Sequence, residues 1–155
     1  MFLEEKGEKM KFKLIIDKDC EEEIVAKVHS ANDFTRKIED LVLSYVGENE
    51  LQVQGDYERL RLKFADIECI TVIDRKVFVI AGDGEKYRTA GSLSELEERL
   101  PSYFIRINKS TLANERRISS FKTTFSGGVD AVFLSGYRDY VSRRCFAEIK
   151  RRYKV

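Results

Sequence analysis

Apolar residues alternate with polar ones in short windows along most of the chain, the two-residue period of strands that bury one face. Residues 11–17 place Phe12, Leu14 and Ile16 on one side, and residues 23–29 place Ile24, Ala26 and Val28 likewise. With residues 17–22 as the turn, this predicts an N-terminal β-hairpin. From Asn32 the period lengthens: Phe34, Ile38, Leu41, Val42 and Tyr45 recur at three and four residues, which predicts an amphipathic helix with Asn32 as N-cap and Gly47 as stop. Strand patterns then return at 51–54, 59–64, 67–73, 77–81 and 86–89. Gly55-Asp56, Asp74-Arg75-Lys76 and Gly82-Asp83-Gly84 fall between them as turns.

Ser92 and Glu95 have the spacing of a capping box, and Leu93, Leu96 and Leu100 form a short apolar face that Pro101 terminates, so one short helix is expected here. Residues 103–107 read as a strand and residues 109–114 as a helical turn or loop leading to Ile118. Strands at 121–125, 129–134 and 137–141 follow, joined by Gly127-Gly128 and Ser135-Gly136. Ser142 then caps a last helix in which Phe146, Ile149 and Tyr153 share a face. The expected fold class is mainly β (α+β), with a flexible tail at 1–10, a hairpin-plus-helix extension at 11–50 and one domain at 51–155.

Length and composition agree with that division. A chain of 155 residues, 43% hydrophobic and 11% aromatic, has material for one packed core. Its apolar runs fall far short of the ~18 residues that span a bilayer, and its start is Glu-rich, so neither membrane insertion nor export is expected. Cys20, Cys69 and Cys145 are too far apart to form a CxxC pair, and His29 is the only histidine, so no metal site or hydrolytic triad is expected. Gly82-Asp83-Gly84 is too short and too acidic to cradle a phosphate. The chain reads as a cytoplasmic protein without enzymatic activity, cofactor or metal.

Charge changes the picture more. The net value of +1 conceals an asymmetry: residues 101–155 hold twelve Lys and Arg against four acids, while the first hundred hold sixteen against twenty-three. A concentrated basic segment is the footprint of a phosphate-binding face, because neutralising phosphates releases condensed counterions. A solvated basic surface kept for solubility explains the count equally well. Within the segment, Arg143 offers a planar fork suited to guanine O6 and N7, and Lys109 offers a point charge to a base edge or phosphate. Arg106, Arg144 and Lys122 suit phosphate positioning, which fixes register without reading sequence. Arg106 alternates with Ile105 and Ile107, so a structural ion pair is at least as good a reading. Ser110 and Asn114 read most simply as turn or cap residues.

The string Phe104-Ile105-Arg106-Ile107-Asn108-Lys109-Ser110-Thr111-Leu112-Ala113-Asn114, followed by Ile118 and by Val141-Ser142-Arg143, resembles the signature of the LytTR DNA-binding domain of bacterial transcription regulators. The short Leu-rich helix before it fits the same family. The resemblance covers about residues 51–155. It implies an antiparallel β fold of three small sheets with short helices, which reads the major groove through loops, commonly as two copies on direct repeats. By position it implies DNA contacts at Asn108 and Lys109, at Ser142, Arg143 and Arg144, at Arg106, and more weakly at the Arg75 and Lys76 hairpin.

Only some 50 residues precede the domain, too few for a phosphoacceptor receiver domain, so a stand-alone regulator is expected. Its expected partners are double-stranded DNA, a second copy joined through the N-terminal helix or on DNA, and a membrane protein as regulator. The competing reading keeps the fold but makes it a protein-binding adaptor or antagonist whose basic face meets an acidic partner.

Overall fold

The computed structural model describes residues 10–46 and 49–153, and its organisation follows from a central sheet that is apolar on both faces. Seven strands lie antiparallel in the order β2-β1-β5-β4-β3-β7-β6: β1 is Glu50–Gln54, β2 Arg59–Lys63, β3 Ile67–Ile73, β4 Lys76–Ala81, β5 Lys86–Arg88, β6 Phe104–Asn108 and β7 Thr111–Asn114. β1 and β2 join the rest at a single Cα pair, Gln54 with Arg88. They therefore act as a hairpin beside a five-stranded sheet. A second sheet orders β10-β9-β8, from Arg138–Val141, Val129–Phe133 and Ile118–Thr123. The antiparallel mainly β fold is as expected, but the strands form two sheets rather than three, because the hairpin is joined to β5.

Alternation along the central strands sends their side chains into two separate cores. Ile67, Ile70, Phe104 and Leu112 pack with Leu93 and Leu96 of α2, Leu93–Arg99, on one face. Cys69, Ile105, Ile107 and Ala113 pack on the other face with Ala131, Phe133 and Val141 of the second sheet and Ile149 of α3, Arg143–Tyr153. Three layers result, with the five-stranded sheet in the middle. Both helices begin as the sequence predicts. Ser92 Oγ accepts from Glu95 N while Ser92 N donates to Glu95 Oε2, a complete capping box, and Ser142 Oγ accepts from Cys145 N at 3.2 Å.

Residues 109–114 differ from the expected helical turn or loop: Thr111–Asn114 is a fully buried central strand, and a 3-10 turn, Glu115–Arg117, follows it. Thr-Leu-Ala-Asn shows no apolar alternation because its polar members are satisfied across the fold rather than by water. Asn114 Nδ2 donates to the Phe64 and Ile67 carbonyls, its Oδ1 accepts from Arg116 N, and Thr111 Oγ1 pairs with Thr71 Oγ1 at 2.8 Å. β8 also begins three residues earlier than its pattern suggests.

The N-terminal hairpin is a larger correction. A turn forms, with Asp19 N donating to Asp17 Oδ1, but residues 10–16 and 23–28 form no strand and make no backbone hydrogen bond to another described residue. A lone two-stranded hairpin is marginal in water, and among the described residues no third strand pairs with these arms. The helix does form, as α1, Asp33–Val46, capped by Asn32 Oδ1 accepting from Thr35 N and by Thr35 Oγ1 accepting from Asn32 N. It docks mainly through polar groups. Glu39 accepts from Ser102 N and Oγ, and Asp40 accepts from Arg116, whose guanidinium lies 3.8 Å from the Tyr103 ring centroid. Gly47 and the tail before Met10 lie outside the described residues. Among the described residues, no helix is long and apolar enough to cross a membrane.

Burial pushes the Tyr103 phenol up to about 12, with Arg116 pulling the other way, and burial pushes Tyr137 up to about 12 as well. The folded state thus favours neutral phenols, a contribution fully present below the unfolded value of 10 and lost as pH rises through 12. Urea unfolding at a series of pH values is expected to show stability declining between about pH 10 and 12, and Tyr103→Phe with Tyr137→Phe should flatten that decline.

Candidate nucleic-acid interface

Three turns meet at one end of the central sheet. The first joins β3 to β4 with Asp74 and Arg75 as its two central residues, both at positive φ, 49° and 64°. That is the type I′ geometry whose twist matches a tight hairpin. Arg75 and Lys76 are exposed there. The second joins β6 to β7 through Lys109 and Ser110, and Val72 N donates to Ser110 O, which ties this turn to the β3 end beside the first. The third is the β10–α3 junction, where Ser142 N donates to Ile107 O at 2.8 Å. Arg75, Lys76, Lys109, Ser142, Arg143 and Arg144 therefore belong to one surface.

A buried clasp holds that surface together. Asn108 is 1% exposed. Its Nδ2 donates to Tyr140 O at 2.8 Å and to Asp139 Oδ1 at 3.4 Å, and its Oδ1 accepts from Ser110 N at 2.8 Å. Thr111 Oγ1 sits 2.6 Å from Asp139 Oδ2 and 2.8 Å from Thr71 Oγ1. Asn108 closes the Lys109-Ser110 turn from within and fastens it to β10, with its own amide committed inside the protein. Charge-assisted bonds of this kind, shielded from water, are the strong ones.

The predicted cations separate into two groups. Arg106 donates through Nε to Glu97 of α2 at 3.0 Å and through Nη1 to Lys109 O at 2.7 Å, so it braces the turn against the helix. This is the structural ion pair weighed in the sequence. Arg143 and Arg144 are exposed and, among the described residues, have no hydrogen bond or ion pair. They occupy the first turn of α3, which contains no acid, so they oppose the helix dipole at a cost of roughly 0.3–1 kcal/mol each. Lys109 is exposed at its turn, and Lys122 lies on exposed β8 away from the three turns.

Sequence reasoning missed Asp139 and the pairing of Thr71 with Thr111. One signal was present: in the strand ending at Val141, Asp139 falls on the same side as Tyr137 and Val141, an acid on an apolar face.

The class this defines is a mainly β domain, capped by helices, whose candidate contact surface is built from turns. Among the described residues no helix directly follows another. The chain belongs to the LytTR DNA-binding domain family, whose profile, described as the LytTr DNA-binding domain, matches residues 57–154. An HTH-type transcriptional regulator of Staphylococcus aureus strain MSSA476 is 29% identical over 147 residues, 94% of this chain and 99% of that protein. One from strain MRSA252 is 28% identical over 148 residues, with 94% and 99% covered. A LytTr DNA-binding domain from Bacillus cereus has the same fold at a TM-score of 0.63 and 19% identity, covering 69% of this chain and 98% of that one.

Removing the clasp leaves buried partners unsatisfied. Asp139→Ala is expected to lower the unfolding free energy by about 1–3 kcal/mol, measured by urea denaturation.

Proposed function

We propose that this chain is a sequence-specific DNA-binding transcription regulator that reads the major groove with side chains carried on turns, as two copies on direct repeats. The observation that carries the reading is the gathering of cations at the three-turn end, where Arg75, Lys76, Lys109, Arg143 and Arg144 form no ion pair among the described residues. Others in the basic segment are paired with acids of the fold: Arg106 with Glu97, Arg116 with Asp40, Arg117 with Glu68 and, at the surface, Arg138 with Asp130. Unpaired cations held at a destabilising helix end are the pattern expected where a polyanion supplies the missing charge.

In this reading Arg143 makes the base contact, Lys109 approaches a base edge or phosphate, and Arg144, Arg75 and Lys76 position the backbone. Asn108, Ser142 and Arg106 act from behind by fixing the turns. Arg75 at φ 64° occupies a backbone region that favours glycine, and strain retained at an exposed cation is itself a pointer to a contact there. The chain then acts in the cytoplasm beside its DNA, takes its input from a partner protein, and catalyses no reaction.

Selection of bound duplexes from a random pool tests the assignment: an enriched sequence with a repeated half-site is expected, and a pool without enrichment overturns it. Arg143→Ala should weaken the selected site by about 1–3 kcal/mol while barely changing affinity for random duplex, as read by titration at fixed salt. Equal losses would reassign Arg143 to phosphate. Arg75→Gly should leave stability within about 1 kcal/mol, since relief of the left-handed strain offsets the added chain entropy, and should still weaken DNA binding.

A further inference from the structure

A second cluster of exposed groups lies at the other end of the molecule. Phe12, Leu14, Ile15 and Ile16 stand uncovered on one arm and Ile24 and Val25 on the other, with Phe12 91% and Ile16 86% exposed. Beyond them α1 turns Phe34, Leu41 and Tyr45 outward. These are seven and four residues apart, so they form one stripe along the helix, and Tyr45 is 89% exposed. Ile38 and Val42, half-buried members of the same helical face, line a groove of about 370 Å³ with Ile24, Val28 and Tyr103.

We propose that residues 10–45 form a homodimerisation surface, in which the apolar arms and the exposed part of the apolar face of α1 are covered by the same elements of a second copy. This deepens the two-copy part of the functional reading.

Size supports the occupant. Aromatic side chains bury about 150–250 Å² each and large aliphatic ones roughly 60–120 Å², so the uncovered three aromatics and six aliphatics amount to on the order of 1,000 Å² per copy. That exceeds the ~300–600 Å² patch of an ordinary monomer and reaches the ~800 Å² per partner of a stable interface. Backbone chemistry points the same way. The arms alternate in polarity, yet neither has a strand partner among the described residues. A second copy supplies the additional strands that turn a marginal hairpin into a stable sheet.

Charge is self-complementary as well. The first arm carries Lys11 and Lys13, while the start of the second carries Glu21, Glu22 and Glu23. When two copies exchange arms, the lysines of each meet the glutamates of the other, as a two-fold interface requires. An anionic membrane is the poorer fit, because residues 11–29 hold four lysines against five acids rather than a basic excess. The position is also suitable. α1 is anchored at Ser102 and Arg116, the end of β6 and β7 opposite the Lys109-Ser110 turn, so pairing there leaves the reading end of each copy uncovered.

Sedimentation equilibrium of the full chain without DNA tests this, so failure to dimerise and failure to bind DNA are scored separately. Wild type is expected at twice 18.0 kDa. Leu14→Glu with Leu41→Glu should raise the dimer dissociation constant about tenfold or more while leaving the thermal transition of the domain in place. Two charge-reversed chains provide the second arm, Lys11→Glu/Lys13→Glu and Glu21→Lys/Glu22→Lys/Glu23→Lys. Each alone should dissociate, and an equimolar mixture should regain the dimer. The proposal is overturned by a wild type that stays at 18.0 kDa at every concentration, by an undiminished Leu14→Glu/Leu41→Glu dimer, by charge-reversed chains that fail to recover on mixing, or by a monomer that floats with phosphatidylglycerol vesicles.

Discussion

The two β layers share no ladder, so the three-turn end depends on the few hydrogen bonds that fasten one sheet to the other. Besides the backbone bond from Ser142 N to Ile107 O, two polar clasps do it. At the turn end, Asn108 and Thr111 of the central sheet hold Asp139 and the Tyr140 carbonyl of β10. On β3, the Glu68 carboxylate, wholly buried, accepts from Ser135 N and Oγ at the β9–β10 turn and lies 3.7 Å from Arg117 Nε. Apolar contacts between the layers are non-directional and would tolerate sliding. Directed bonds between buried groups are not so tolerant, because each misplaced partner costs about 1–3 kcal/mol. The relative position of the Lys109 turn and the α3 start is thus fixed by chemistry largely shielded from solvent.

That division of labour also explains why charge counting overstates the available surface. A guanidinium is as useful for bracing as for contact, and this domain uses it for both. Arg106 ties a turn to α2, while Arg116 stacks on Tyr103 and pairs with Asp40, leaving its Nε and Nη2 buried without a hydrogen bond. Such an arrangement suits arginine, whose diffuse charge is weakly hydrated and stacks on aromatic faces, better than it would suit lysine. Meanwhile the bare arginines stand at the one helix end where cations are disfavoured. The cost is small, roughly 0.3–1 kcal/mol each.

Most of the scaffold was legible because its signals are local. The Ser92–Glu95 box, the Asn32 cap, the Asp74-Arg75 turn and the glycines at 127 and 136, with φ of 83° and 93°, act within a few residues, and the structure realises each. What local pattern could not show was satisfied at long range. Thr111–Asn114 reads as loop because Thr and Asn look like surface residues, yet both are buried with partners 40 and 47 residues away. Residues 11–29 failed in the opposite way, since their alternation is good strand text with no third strand to complete it. The signature string brought attention to Asn108 as a contact, and only its 1% exposure shows that its amide works inward.

The β6–β7 hairpin therefore has different duties at its two ends. At one end it carries the Lys109-Ser110 turn; at the other, Tyr103 and Arg116 carry α1. The strands between span about 15 Å at ~3.3 Å per residue, flanked by core on both faces. Interiors packed at crystal-like density transmit displacement as rigid bodies and resist local deformation. On the proposed function, an event at α1 reaches the three-turn end by relocating the domain as a whole, while the clasp at Asn108 and Asp139 keeps the internal geometry of the turns constant. Recognition and placement are separable properties in that proposal, the first assigned to a handful of turn residues and the second to whatever holds the far end of the hairpin.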